Sequence, residues 1–192
     1  MSIDASAGLL FVGANNGALF CFDYVRGRPQ WSFSTGGAIK STVAVAGDMV
    51  YVTSLDGGLY GFIGATGEKR MALALTAASM SSPTVHEDTV FFGSDDGVLR
   101  AVNRHDGALV WDFPTQGPIS SSPTVIQDSA LVAIGSRDRH LYLLDLASGG
   151  LRQAIEVGSA ITSVPVAVDD SLFVNDDAGT VYAFRSGSAS GR

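Results

Sequence analysis

The side chains of this 192-residue sequence with chemical potential are carboxylates, arginines, three histidines and one cysteine. Twelve of the 19 carboxylates fall into two series. One is Asp56, Asp95-Asp96, Asp138 and Asp176-Asp177; the other is Asp48, Glu87-Asp88, Asp128 and Asp169-Asp170. Each group lies at a break between apolar runs, where aspartate stabilises a turn by bonding its own backbone. A calcium loop would need denser oxygen ligands, as in Asp-x-Asp-x-Asp-Gly, and Asn175-Asp176-Asp177 is only a weak approach to it. His86, His105 and His140 stand at no metal-ligand spacing, so no metal is expected. Cys21 has no companion, which rules out an intrachain disulfide, and within Leu19-Phe20-Cys21-Phe22 it reads as a core residue. No nucleophile elbow, P-loop or Gly-x-Gly-x-x-Gly run occurs, and no catalytic residue or cofactor is expected.

The elements that carry these residues are strands. Apolar runs of five to seven residues, rich in Val, Phe, Tyr and Leu, alternate with glycine turns. The turns at Asn16-Gly17, Asp56-Gly57, Asp96-Gly97, Arg137–Arg139 and Ala178-Gly179 recur about every 40 residues. The first and third of them suit a type I′ hairpin. The best-formed copy is His86–Val125, with strands at Thr89–Gly93, Val98–Asn103 and Leu109–Phe113. Leu9-Leu10-Phe11-Val12 and Val90-Phe91-Phe92 are apolar on both faces, so each sheet is covered on both sides. A four-stranded antiparallel sheet repeated every 40 residues or so, with neighbours on both faces, is a β-propeller blade, and the fold class is all-β. The small-residue runs Ile39–Val45, Ser79–Val85, Ile119–Val125 and Ile161–Val168 suit the crowded strand nearest the axis.

Phe92-Gly93-Ser94-Asp95-Asp96-Gly97-Val98-Leu99, then Asp106-Gly107 and Trp111, with Trp31 and Thr66-Gly67 at the same places in other copies, resemble the PQQ-like (pyrroloquinoline-quinone-type) propeller repeat. The resemblance covers residues 8–185. It implies that Trp31 and Trp111 wedge between neighbouring blades. The family includes quinone-dependent dehydrogenases, the lipoprotein scaffold of the outer-membrane β-barrel assembly machinery, and propellers attached to kinases or adenylating enzymes. The dehydrogenases, by resemblance, use an adjacent Cys-Cys disulfide, calcium and an aspartate base; a single cysteine speaks against that reading. A non-enzymatic interaction scaffold is therefore the expected function. The alternatives are a sensory or regulatory segment of a multidomain protein and, last, a dehydrogenase segment.

The expected blade repeats are about 1–38, 39–78, 79–118, 119–160 and 161–185, with Ser2–Asp4 as a possible short first strand and 186–192 (SGSASGR) as a linker-like tail. Both ends carry second and third strands, so they cannot merge into one blade. That leaves a five-blade ring with a weak seam or an open arc of a larger propeller, and the resemblance, which implies rings of seven or eight blades, favours the arc. Its bare ends should favour a homo-oligomer that completes the propeller, or further sequence. Departures from the repeat are the candidate partner contacts: Arg137, Asp138, Arg139 and His140, which replace an Asp-Gly turn, and Lys40, on an inner strand where serine is otherwise found. A protein partner is expected. A net charge of −7 argues against a sequence-independent grip on nucleic acid or anionic lipid. No apolar run reaches the ~18 residues of a membrane span, and Met1–Ser6 has no export signal.

Overall fold

Glycine and aspartate punctuation cuts the chain into the strands of a computed structural model that describes residues 1–185. The tail 186–192 lies outside the described residues. Blade 1 is β1 (Ser2–Asp4), β2 (Leu9–Gly13), β3 (Ala18–Asp23) and β4 (Arg28–Ser34). Blade 2 is β5 (Ala44–Ala46), β6 (Met49–Thr53), β7 (Gly58–Ile63) and β8 (Lys69–Ala74). Blade 3 is β9 (Thr84–His86), β10 (Thr89–Gly93), β11 (Val98–Asn103) and β12 (Leu109–Pro114). Blade 4 is β13 (Thr124–Ile126), β14 (Leu131–Gly135), β15 (His140–Asp145) and β16 (Leu151–Glu156), with a 3-10 turn at Gln127–Ser129. Blade 5 has three described strands, β17 (Val166–Val168), β18 (Ser171–Asn175) and β19 (Val181–Arg185). Every pairing is antiparallel, and Ser2–Asp4 pairs with β2, Ser2 opposite Phe11.

The period of two explains strands buried on both faces. On β6, Val50 and Val52 pack toward blade 1 with Phe11, Leu19 and Cys21, whereas Tyr51 packs toward blade 3 with Val90, Phe92 and Val102. The next seam joins Phe91, Leu99 and Trp111 to Val132, Ile134 and Leu144, and the last joins Ala133 and Leu141 to Leu172 and Val174. The innermost strands touch in chain order, β1 to β5, β5 to β9, β9 to β13 and β13 to β17. The five sheets form an open arc. Its end faces leave Ile3 of blade 1 and Val166, Val168 and Val181 of blade 5 exposed.

Two local expectations need correction. The hairpins between second and third strands are not type I′. In the first, the Ala14 N–H donates to Ala18 (2.9 Å) and the Gly17 N–H to Ala14 (3.0 Å), and only Gly17 has positive φ (83°). Gly57, Gly97, Arg139 and Gly179 repeat that geometry. This is a type I turn closed by one left-handed residue, which needs positive φ once rather than twice. The innermost strands are also shorter than the small-residue runs, with three residues each. The serines before them continue the ladder with side chains instead. Ser41 Oγ donates to the Thr53 carbonyl (3.0 Å), and Ser81 Oγ and Ser121 Oγ accept from Gly93 (3.0 Å) and Gly135 (3.1 Å) N–H groups.

Candidate functional site

The turns between second and third strands share one face of the arc, and the chain crosses from blade to blade beside them. Each crossing is tied to the next blade by one backbone bond: Leu55 N–H to Ala38 (2.9 Å), Asp95 to Ala78 (2.9 Å), Arg137 to Pro118 (3.0 Å) and Asp177 to Ala160 (2.8 Å). The tie fixes two side chains per seam near the axis: Lys40 with Leu55, Met80 with Asp95, Ser120 with Arg137, and Thr162 with Asp177. The result is an inner rim whose backbone repeats and whose side chains do not.

Lys40 is exposed and precedes β5 in irregular chain rather than lying within an inner strand. Its counterparts are Met80, Ser120 and Thr162, so only one of the three is the serine expected there. Arg137 is exposed and its Nε donates to Ser120 Oγ (3.3 Å). Arg139 occupies the left-handed position with φ 73°, where the other four hairpins have glycine, and pairs with Glu156 (2.9 Å). His140 is half-buried beside Tyr142, with ring centroids 5.6 Å apart, and its backbone N–H donates to Asp138 Oδ1 (2.9 Å). The structure therefore brings Arg137, Asp138, Arg139 and His140 together at one turn and sets Lys40 two seams away along the same rim.

Asp138 belongs more to the seam than to the surface. Its Oδ2 accepts from the Gln116 N–H of blade 3 (2.8 Å) and from the Tyr142 hydroxyl (2.7 Å). Asp56 does the same between blades 1 and 2, accepting from Gly36 N–H (2.7 Å) and Tyr60 (2.8 Å). At the seam of blades 2 and 3, Asp96 accepts from Thr76 Oγ1 (3.0 Å) and pairs with Arg100 (2.6 Å). Burial opposes ionisation of all three, but the donors around them outweigh it and hold each carboxyl below its usual range. The partner phenols shift the other way: burial and then the Asp56 carboxylate push Tyr60 up to about 12. The fourth seam relays the contact. Gly158 N–H donates to Tyr182 Oη (3.0 Å), which donates to Asp176 Oδ2 (3.0 Å). The sequence held a signal for these rivets, since a tyrosine or arginine follows four residues after Asp56, Asp96 and Asp138.

Trp31 lies on β4 with its ring 5.9 Å from Phe11 and 5.9 Å from Phe62, and its Nε1 donates to Gly64 of blade 2 (2.8 Å). Trp111 lies on β12, 5.6 Å from Phe91, and its Nε1 donates to Leu146 of blade 4 (3.2 Å). On the opposite face of the arc, a cavity of about 270 Å³ between blades 1 and 2 is lined by Asp4, Ser6, Leu9, Asp48 and Val50. Asp4 Oδ1 is already engaged by Ser6 and Ala7. Among the described residues, no three His, Cys, Asp or Glu side chains cluster as a metal site would require, and no helix is long and apolar enough to cross a membrane.

The family described as outer membrane protein assembly factor BamB matches residues 3–190. Among solved structures, BamB from Moraxella catarrhalis superposes with a TM-score of 0.82 at 20% identity, over 93% of this chain and 59% of that one. The computationally designed Ika8 protein superposes with a TM-score of 0.84 at 17% identity, over 98% of this chain and 57% of that one. The designed Ika4 protein matches 80% of this chain and 94% of its own length, with a TM-score of 0.72 at 17% identity. More of this chain superposes on BamB and Ika8 than on Ika4, and it spans 59% and 57% of the lengths of the first two. At such identities the likeness is one of fold. No curated protein matches the chain.

Proposed function

The chain belongs to the family of outer membrane protein assembly factor BamB, and from that premise we propose that it is a non-enzymatic propeller scaffold that binds a protein partner through its inner rim. The observation that carries this reading is the constancy of the rim's backbone against the variety of its side chains. Four seams repeat one hydrogen bond, while the side chains it presents run from Lys40 and Leu55 through Met80, Asp95 and Arg137 to Asp177. A rigid frame that presents different groups at equivalent places suits recognition, because little conformational entropy is lost when a partner docks. The Arg137–His140 turn is the most divergent part of the rim and its proposed centre. The perturbed aspartates support the non-enzymatic reading, since their oxygens are engaged as acceptors inside the seams.

The test is capture by crosslinking from a lysate of the source organism. The native chain is compared with a variant carrying Lys40→Ala, Met80→Ala and Arg137→Ala. A partner recovered by the native chain and lost by the variant, at unchanged melting temperature, supports the rim. Equal recovery by both, or no specific protein, refutes it.

A further inference from the structure

The residue after each third strand donates its N–H to the turn between the first and second strands of its own blade. Gly64 bonds Asp48 (2.8 Å), Arg104 bonds Asp88 (2.9 Å) and Leu146 bonds Ala130 (2.9 Å). The carbonyl of the same residue accepts from the preceding blade, from Trp31 Nε1 (2.8 Å), Tyr51 Oη (3.0 Å) and Trp111 Nε1 (3.2 Å) in turn. Gly64, Arg104 and Leu146 are therefore equivalent, and they differ in the side chain each offers to its seam. Leu146 packs on the cluster that includes Phe91 and Trp111 of blade 3. Arg104 lays its guanidinium across the seam of blades 2 and 3. Its Nη1 donates to the Glu87 carbonyl (3.4 Å), its Nη2 lies beside Gly47, and its Nε is buried. Gly64 offers no side chain, and the cavity of about 270 Å³ between blades 1 and 2 opens beside it. Its φ is not positive, so the backbone does not demand glycine there.

The lining specifies the occupant. Blades 1 and 2 each have four strands, so the cavity between them does not arise from the ends of the arc. Leu9 and Val50 give it an apolar wall, and Asp4 and Asp48 give it negative charge. Ser6 and Ala7 hold Asp4 Oδ1, whereas Asp4 Oδ2 and the Asp48 carboxylate accept no hydrogen bond from the described residues. Gly47 is the counterpart of Glu87: both have positive φ, 62° and 49°, and both precede the aspartate whose carbonyl receives the bond from Gly64 or Arg104. The Gly47 carbonyl therefore stands where the Glu87 carbonyl accepts from Arg104. We propose that this cavity binds the guanidinium of an arginine side chain carried by a partner protein, laid as Arg104 lies one seam away. The planar fork donates to the Gly47 carbonyl and to the Asp4 and Asp48 carboxylates, and the methylenes cover Leu9 and Val50. The cavity lies on the face opposite the rim, so the inference goes beyond the scaffold reading.

The probe is N-acetyl-L-arginine amide, titrated into the isotope-labelled full chain and followed by the backbone amide resonances. Saturable shifts are expected at Ser6, Ala7, Gly47, Asp48 and Gly64. The dissociation constant should be about 1 mM, since Arg104 beside Gly47 repels a second cation. The lysine counterpart of the probe binds about fivefold more weakly, and the neutral citrulline counterpart does not bind. Asp48→Asn, at an exposed position, weakens binding about fivefold. Gly64→Leu, which copies Leu146, abolishes it; should that variant not fold, Asp48→Asn carries the test. Absence of saturable shifts, shifts spread over the other acidic turns, equal binding of the citrulline probe, or unchanged binding by Asp48→Asn overturns the proposal. So does tighter binding of free L-arginine than of the capped residue, since the site would then serve a small molecule. Failure here with rim-dependent capture intact removes this inference alone.

Discussion

The turns between third and fourth strands supply a controlled series for the wedging of blades. Gly27, Gly67, Gly107 and Gly149 occupy equivalent positions with φ of 66°, 72°, 76° and 69°. An added Cβ meets nothing within 4 Å at Gly27, a flexible Met71 Sδ at 3.3 Å at Gly107, and an indole ring at 2.6 Å at Gly67 (Trp31) and at Gly149 (Trp111). Alanine at any of them bears a left-handed backbone cost of about 1–2 kcal/mol, partly offset by about 0.4–1 kcal/mol from the stiffer unfolded chain. Gly27→Ala should therefore cost about 1 kcal/mol. At Gly67 and Gly149 the indole must also move, a strain of about 1–3 kcal/mol more. Those variants should lose about 2–4 kcal/mol in total, and Gly107→Ala should fall between. At about 2–4 °C per kcal/mol for a chain of this size, the two tryptophan-facing variants should melt roughly 4–16 °C below the native chain. Thermal and urea unfolding followed by circular dichroism would give the order. Four equal losses would refute the wedge, because only the backbone term is shared.

Two further outcomes follow from the seams and the core. The folded-state pKa values of Asp56, Asp96 and Asp138 are depressed, so the unfolded chain binds more protons in acid; the stability they contribute is complete above the ordinary aspartate value of about 4 and falls progressively below it. Melting temperature should fall on the acid side of about pH 4, and Asp138→Asn should make that limb shallower; a loss centred between pH 5 and 8 would contradict it. Burial, reinforced by Asp23, pushes the Cys21 thiol up to about 11, so Ellman's reagent should find no reactive thiol in the native chain and one in denaturant.

Much of the fold was legible because it depends on local signals. Doubly apolar strands such as Val90-Phe91-Phe92, glycine turns and the recurrence of about 40 residues point to blades without reference to distant contacts. Counting strands at the two ends excludes a composite closing blade, and the family resemblance, not the count, favours the open arc over a five-blade ring. The turn type did not follow, because Asn16-Gly17 permits positive φ at both residues and the strand geometry requires it at one. Lys40 was placed on an inner strand because the run Ile39–Val45 is uniformly small around it; the strand begins only at Ala44, since serine hydroxyls take over the ladder before that point. Asp56, Asp96 and Asp138 read as turn formers, and turn formers they are. Their second oxygen also reaches the preceding blade, a contact that depends on the angle between sheets.

By itself the sequence determined the strands, the repeat, the family resemblance and the places where one copy departs from the others. These follow from side-chain periodicity and backbone preference, which act within a few residues. What the departing residues touch depends on the tertiary structure. Lys40 and Arg137 share a rim because backbone bonds tie each crossing to the next blade, and Phe173 lies open because no sheet among the described residues covers the face of blade 5 that points away from blade 4. Those outcomes depend on how one sheet packs against the next, a long-range property that spacing along the chain does not encode.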